Sequence, residues 1–119
     1  MPVVVHCFTG PSSEMQVYVK MGFYIGITGW ICDGPRGGDL RSAVPSIPLD
    51  RMMIETDAPF LTPKNIRPRP EFNEPFYLAR VAETLAQCLG IPVTKVIEHS
   101  TQNALRFFSL VKKTAEFVA

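Results

Sequence analysis

The sequence predicts an α/β fold in which parallel strands and helices alternate as β-α-β-α-β, followed by C-terminal helices. With 119 residues, of which 46% are hydrophobic, the chain is long enough for one domain with a sizeable core. Short apolar runs that end at polar or glycine-containing turns are typical of buried parallel strands. Three such runs occur, at residues 3–5, 23–27 and 51–56.

The segments between these strands carry helix signals. Residues 11–14, Pro-Ser-Ser-Glu, are typical of a helix start, and Gly22 is a plausible C-cap for the helix that follows. Residues 33–38, Asp-Gly-Pro-Arg-Gly-Gly, predict a loop. A short helix is expected within residues 40–47, interrupted near Pro45. The third strand must end before Pro59, which has no backbone N–H to donate to a sheet.

The second half of the chain predicts a stiff loop and then helices. Five prolines between residues 59 and 75 exclude helix and central strand there. Asn73 or Glu74 is expected to cap a helix that ends at Gly90. Two further helical segments are expected, at residues 92–98 and 101–111. Their predicted buried residues are Val96, Ile97, Leu105 and Phe108.

Composition excludes several classes of protein. The net charge of +1 gives no sign of a strongly basic nucleic-acid binder, and no apolar stretch approaches the roughly 18 residues of a membrane span. The three cysteines are widely spaced and lack a CxxC pair, which argues against a disulfide framework and a structural zinc site. The start of the chain turns polar too soon for a secretory signal. A cytoplasmic location is therefore expected.

Two candidate metal ligands follow predicted strands. The carboxyl ends of parallel strands meet at one edge of a sheet, so His6 and Asp57 are expected there, with one strand between them and roughly 10 Å between their backbones. Imidazole and carboxylate are ligands for a divalent ion such as Mg, Mn or Zn. Glu55 shares a strand face with Asp57, so it could accept a hydrogen bond behind the ligands or form an internal ion pair.

Substrate contacts are predicted at the same edge. Trp30 follows the second strand, where its indole could stack on a base or simply pack. Lys64, Arg67 and Arg69 lie in the proline-rich loop, which could hold their cationic groups towards phosphates. The alternative for these three residues is an ordinary solvated basic loop.

Four motifs carry a family resemblance: "VVVHCFTG", "GFYIGITGW", "MMIETDAPFLTP" and "NEP". In this order and spacing they resemble the TatD family of metal-dependent deoxyribonucleases. The resemblance implies a (β/α)8, TIM-type barrel with one or two divalent metal ions that hydrolyses phosphodiester bonds in DNA. It implies metal ligands at His6 and Asp57, with Asp57 as the catalytic carboxylate.

The chain departs from the family pattern in what it lacks. The family's His-x-His pair, a glutamate and a further histidine are absent, and Phe72 stands where many relatives carry arginine. Since a complete barrel has about 250 residues, residues 1–119 are expected to form a single TatD-like domain that is the C-terminal part of a barrel. Self-association or a complementary chain would then cover its open strand edges. The alternatives are a non-catalytic half-barrel that needs a partner, and hydrolysis of another bond, such as the ester of an aminoacylated tRNA.

Overall fold

A three-stranded parallel sheet organises the structure, a computed structural model that describes residues 1–110. The second strand along the chain is central and is paired to both of the others. Every residue of the central strand is buried, as expected for a Tyr-Ile-Gly-Ile run covered on both faces. The strands are β1 (Val4–Val5), β2 (Tyr24–Ile27) and β3 (Met52–Ile54).

Four helices accompany the sheet in the described part of the chain, together with short 3-10 turns. Two glycines adopt left-handed backbone conformations after helices, Gly22 with φ 77° and Gly90 with φ 67°, so both predicted helix ends are confirmed. Pro45 lies in a 3-10 turn that continues the second helix. The helices are α1 (Ser12–Lys20), α2 (Gly38–Ala43), α3 (Leu78–Leu89) and α4 (Val93–Phe107).

One apolar cluster forms the core, and it draws residues from β2, β3 and all four helices. Shortening one of its large side chains to alanine is expected to cost about 2–5 kcal/mol of stability, because the remaining atoms cannot refill the space. The largest fully buried members include Met15, Ile25, Ile27, Leu40, Met52, Leu85 and Val96.

The predicted break between two C-terminal helices is wrong, because residues 93–107 form one helix. Two of its polar residues, Ser100 and Asn103, are buried and bind the third strand. The Ser100 hydroxyl accepts the Ile54 N–H at 2.9 Å, and the Asn103 amide donates to the Met52 carbonyl at 2.7 Å. The helix therefore satisfies backbone groups of β3, so the edge expected to be open is partly covered.

Other helix predictions need correction as well. Val96 is fully buried as predicted, but Ile97 and Phe108 are exposed. Asn73 does not cap α3, because its side-chain amide donates to the Phe60 carbonyl at 2.8 Å instead. Position 111 of the last predicted segment lies outside the described residues. No helix in residues 1–110 is both long and apolar enough to cross a membrane.

Candidate active site at the carboxyl edge of the sheet

His6 and Glu55 form a pair across the carboxyl edge of the sheet. His6 directly follows β1, Glu55 directly follows β3, and the imidazole Nδ1 contacts the carboxylate Oε1. The same carboxylate oxygen accepts the Cys7 N–H at 2.9 Å. The His6 side chain is 64% exposed and that of Glu55 22%. Because Nδ1 is engaged by the carboxylate, Nε2 is the ring nitrogen that remains for a ligand.

Glu55 reaches His6 by crossing the central strand, and this depends on Gly26. A Cβ atom added to Gly26 would lie 2.1 Å from the Glu55 Oε2 atom. Any side chain at this position would therefore displace the carboxylate. The absence of a side chain at this position in β2 leaves room for the carboxylate where it contacts His6.

Burial raises the pKa of the Glu55 carboxyl above its usual value. The charge of His6 and the hydrogen bond from Cys7 act in the opposite direction, and the negative charge of Asp57 adds to the increase. Asp57 is therefore close enough to Glu55 for their charges to interact. His6, Glu55 and Asp57 form one electrostatic group at the predicted edge.

The Asp57 carboxylate is left free by the turn that holds it. The turn is closed by the Asp57 carbonyl, which accepts the Phe60 N–H at 2.8 Å, and by the Thr56 hydroxyl, which accepts the Ala58 N–H at 3.1 Å. An aspartate at such a position can also cap a turn through its carboxylate. Its carboxylate makes no such hydrogen bond within residues 1–110, so it is free to act as a ligand.

The side chains present fit a divalent ion in type but not in number. A neutral imidazole nitrogen and a free carboxylate are suitable donors. No three His, Cys, Asp or Glu side chains in residues 1–110 are grouped so that they could hold an ion together. Protein metal sites of this kind use three or more ligands, so His6 and Asp57 alone would not complete one.

Three of the four predicted substrate-contacting residues line one cavity of about 300 Å³: Trp30, Lys64 and Arg69. The Thr28 hydroxyl accepts the Trp30 N–H at 3.4 Å and so begins the 3-10 turn that places the indole there. Arg67 behaves differently, because its guanidinium donates to the Lys64 and Ile66 carbonyls at 2.7 and 2.8 Å. It is not among the residues that line the cavity.

Asp33 belongs to the same cavity, and sequence reasoning missed it. Its side chain is only 3% exposed, and its Oδ2 atom lies 3.0 Å from Lys64 Nζ and 2.7 Å from an Arg36 guanidinium nitrogen. Hydrogen bonds from Lys64 and Arg36 hold the pKa of the Asp33 carboxyl well below its usual range. The available signal was an acidic residue directly after a buried run, which we interpreted only as part of a loop.

The fold and site define an α/β protein with a histidine-carboxylate group at the carboxyl edge of a parallel sheet, where enzymes of this architecture hold their catalytic groups. The sequence profile of the family described as TatD related DNase matches residues 1–109. The chain belongs to this family, which confirms the resemblance.

Curated relatives give the same result. The 3'-5' ssDNA/RNA exonuclease TatD of Pectobacterium parmentieri is 45% identical over 109 residues, which are 90% of this chain and 42% of the relative. The protein of the same name from Escherichia fergusonii is 51% identical over 89 residues, 73% of this chain and 34% of the relative. The chain spans about two fifths of the length of the Pectobacterium protein.

Solved structures of the family have the same fold. YJJV, a TatD homolog from Escherichia coli K12, is 28% identical and matches with a TM-score of 0.73 over 86% of this chain and 38% of that one. A TatD family hydrolase from Entamoeba histolytica matches with a TM-score of 0.73 over 87% of this chain and 41% of that one, at 24% identity. The second match supports the fold alone.

Proposed function

We propose that this chain supplies part of the active site of a metal-dependent nuclease that hydrolyses phosphodiester bonds in DNA, and that RNA is a second substrate. The observation that carries the proposal is the group formed by His6, Glu55 and Asp57 at the carboxyl edge of a TatD-type sheet. The name of the Pectobacterium relative includes both single-stranded DNA and RNA, so we do not restrict the substrate to DNA.

Glu55 orients His6 in this proposal. Its carboxylate engages Nδ1 of the imidazole, which fixes the ring orientation and makes Nε2 the better ligand. Glu55 is itself held by the Cys7 N–H, and its carboxylate occupies the space that a side chain at Gly26 would fill. It acts as a positioning residue and does not touch the substrate.

Asp57 is the proposed catalytic carboxylate and second metal ligand. A bound divalent ion, Mg, Mn or Zn, would lower the pKa of a water molecule and polarise the phosphoryl oxygen. The free carboxylate of Asp57 can ligate such an ion and accept a proton from the attacking water. Its negative charge is required for both tasks, whereas an amide in the same place would perform neither.

We further propose that the sheet is part of a (β/α)8 barrel completed by other TatD-like polypeptide. Within residues 1–110, β1 is paired only with β2, so its other edge is open. An apolar cavity of about 500 Å³ lies between α3 and α4, with Ile97 and Phe108 among its lining residues. Unpaired strand edges and exposed apolar grooves promote association. A complementary chain of this kind would also bring further metal ligands, in the same cytoplasmic compartment that we expect for this chain.

The proposal is tested by complementation. The purified chain is mixed with the part of the Pectobacterium TatD protein that it does not match, and cleavage of labelled single-stranded DNA and RNA is measured with Mg²⁺ or Mn²⁺. We expect little cleavage by the chain alone and cleavage by the mixture. Asp57→Asn and His6→Ala should each lower the rate by at least about 100-fold, the usual effect of removing a group that stabilises transition-state charge.

Asp50→Asn is the matched control. Asp50 is 65% exposed and, within residues 1–110, its carboxylate pairs only with the adjacent Arg51, at 3.6 Å, so this change should leave cleavage unaffected. Robust cleavage by the chain alone that persists with a chelator and survives Asp57→Asn would contradict the proposal.

A second candidate is a non-catalytic domain that acts only by binding. It is favoured by the finding that no three metal-ligating side chains are grouped within residues 1–110. Complementation distinguishes the two candidates, because a binding domain would associate with the remaining TatD polypeptide without restoring metal-dependent cleavage.

A further inference from the structure

The cavity beside Trp30 has more cationic groups than carboxylates. Lysine and arginine contribute three positive charges to its wall, and aspartate and glutamate contribute two negative ones. Its volume of about 300 Å³ is enough for a group the size of a phosphate or a nucleotide. The charged residues that line it are Asp33, Arg36, Lys64, Arg69 and Glu71.

The cationic side chains of this cavity differ in how many of their hydrogen-bond donors are already used. Arg36 is engaged twice, since its guanidinium pairs with Asp33 and lies 4.6 Å from the centre of the Trp30 ring. Lys64 contacts Asp33 through one ammonium group that carries three N–H donors, so donors remain. Arg69 makes no ion pair or side-chain hydrogen bond within residues 1–110. The unused donors of the cavity are therefore on Lys64 and Arg69.

Trp30 provides a second and independent sign of a missing ligand. Its indole N–H is buried and has no hydrogen-bond partner among residues 1–110. Leaving a buried donor unpaired costs about 1–3 kcal/mol, and most such groups have a partner in the functional state. The face of the indole under Arg36 is already covered, so Trp30 offers a donor and not an open stacking surface there.

We infer that this cavity binds a phosphate group through Arg69, Lys64 and the indole N–H of Trp30. Three donors on the wall of one cavity with a net positive charge suit the oxygens of a phosphate, and a guanidinium can bind two of them at once. Asp33 positions Lys64 and Arg36 without contacting the ligand. That the phosphate belongs to a nucleic-acid strand rests on the proposed function.

The cavity lies where a nucleic-acid strand bound at the proposed active site could reach it. Gly29 lines this cavity and also lines a small cleft that includes Glu55. An added Cβ at Gly29 would lie 2.1 Å from the Leu61 carbonyl, so the proline-rich loop packs directly against this glycine. A phosphate held by Arg69 would thus lie at the same edge of the sheet as His6 and Asp57.

Trp30 makes the inference directly measurable because it is the only tryptophan of the chain. The purified chain is titrated with inorganic phosphate, thymidine 5'-monophosphate and thymidine, at constant ionic strength and in the presence of EDTA, while tryptophan fluorescence is recorded. We expect saturable changes with the two phosphate compounds and none with thymidine. Fluorescence changes with thymidine alone, or with none of the three, would overturn the inference.

Two arginines of the same loop provide a matched pair of variants. Arg69→Gln should weaken phosphate binding by about tenfold or more, as expected when a charge-assisted hydrogen bond is lost. Arg67→Gln removes the same charge, and its amide can still donate to the carbonyls that Arg67 contacts. Its effect should stay below about twofold. Equal losses in the two variants would mean a general effect of loop charge and would overturn the inference.

This experiment can fail independently of the proposed function. EDTA removes divalent ions, so phosphate binding in the cavity is measured without the metal site. Saturable phosphate binding that depends on Arg69, together with no cleavage after complementation, would support the phosphate site and contradict the proposed nuclease function. Cleavage without a phosphate-dependent change in Trp30 fluorescence would support the nuclease function and contradict the phosphate site.

Discussion

Glu55 and Asp33 are both carboxylates that contact cationic or ionisable partners near the carboxyl edge of the sheet, yet their pKa values are shifted in opposite directions. Burial dominates at Glu55, which has one imidazole partner, and raises its pKa. Lys64 and Arg36 dominate at Asp33 and lower its pKa. The difference shows that the number of cationic partners, and not burial alone, decides whether a carboxylate stays ionised.

The two regions therefore serve different purposes. The Asp33 carboxylate remains charged and ties the loop after β2 to the proline-rich loop through Lys64. Arg41 of α2 holds the loop after β2 from its other side, since its guanidinium donates to the Asp33 and Gly34 carbonyls at 2.6 and 2.8 Å. The raised pKa of Glu55 makes its carboxylate easier to protonate, and the residue lies beside His6, which we propose as a metal ligand. The first group holds two loops together, and the second is the one that we propose for catalysis.

Among the variants that test this comparison, Gly26→Ala should have the largest effect, because the added methyl group disturbs the packing around Glu55. The added methyl group would overlap the Glu55 carboxylate, so the contact with His6 should be lost. We expect the complemented nuclease to lose activity by about 10- to 100-fold, the usual effect of removing a group that supports a metal ligand. Overpacking should also cost about 1–3 kcal/mol of stability.

Two variants separate these effects. Glu55→Gln keeps the size of the side chain and should lower metal affinity of the complemented protein by about 10- to 100-fold, with little change in Tm. Gly34→Ala is the control for the glycine substitution, because an added Cβ there meets no atom within 4 Å. Calorimetry and thermal unfolding measure both properties. Unchanged metal affinity in Glu55→Gln would show that Glu55 does not position His6.

Asp33→Asn should produce the largest loss of stability among the charge variants. The amide cannot neutralise Arg36 and Lys64, and breaking a buried ionic group by removing one member is strongly destabilising. We expect Tm to fall by more than about 5 °C in thermal unfolding at neutral pH. Asp50→Asn, which removes an exposed carboxylate, should leave Tm nearly unchanged. Equal Tm values for the two variants would contradict a structural role for Asp33.

The same region predicts a pH dependence. The pKa of Asp33 is lower in the folded protein than in the unfolded chain, so its contribution to stability is present above the unfolded value of about 3.9 and is lost as the pH falls. The Tm difference between the wild type and Asp33→Asn should be constant from pH 7 to about pH 5 and then shrink in acid. A difference that grows as the pH falls would reverse the sign and refute the assignment.

How far the sequence predicts the molecule differs between these two regions. His6, Glu55 and Asp57 could be placed at one edge because strand order and polarity follow from the apolar runs. The Asp33 cluster could not, because it depends on a long loop folding back to bring Lys64 to a residue that is 31 positions earlier. Local patterns carry no information about such a contact.

The C-terminal helix shows the same limit. The sequence predicts two segments with a gap at residues 99–100, so it assigns no role to Ser100 or Asn103. In the structure they hydrogen-bond with backbone groups of Ile54 and Met52, which makes them buried parts of one helix. By contrast, Gly22 and Gly90 mark helix ends through backbone conformation alone, and both were predicted correctly.

The smallest expected effects come from the two cations that hold Asp33. The Arg36 and Lys64 side chains are 56% and 44% exposed, so solvent and salt screen their attraction to the carboxylate. Removing either one leaves the other as a partner for Asp33. Arg36→Ala and Lys64→Ala should therefore each lower Tm by only about 2 °C.

The double variant leaves the buried carboxylate without a cationic partner, so its decrease in Tm should exceed the sum of the two single decreases. Thermal unfolding of the wild type, the two single variants and the double variant, at low and high salt, measures this coupling. Additive decreases in Tm would contradict it and would show that the two cations act independently on Asp33.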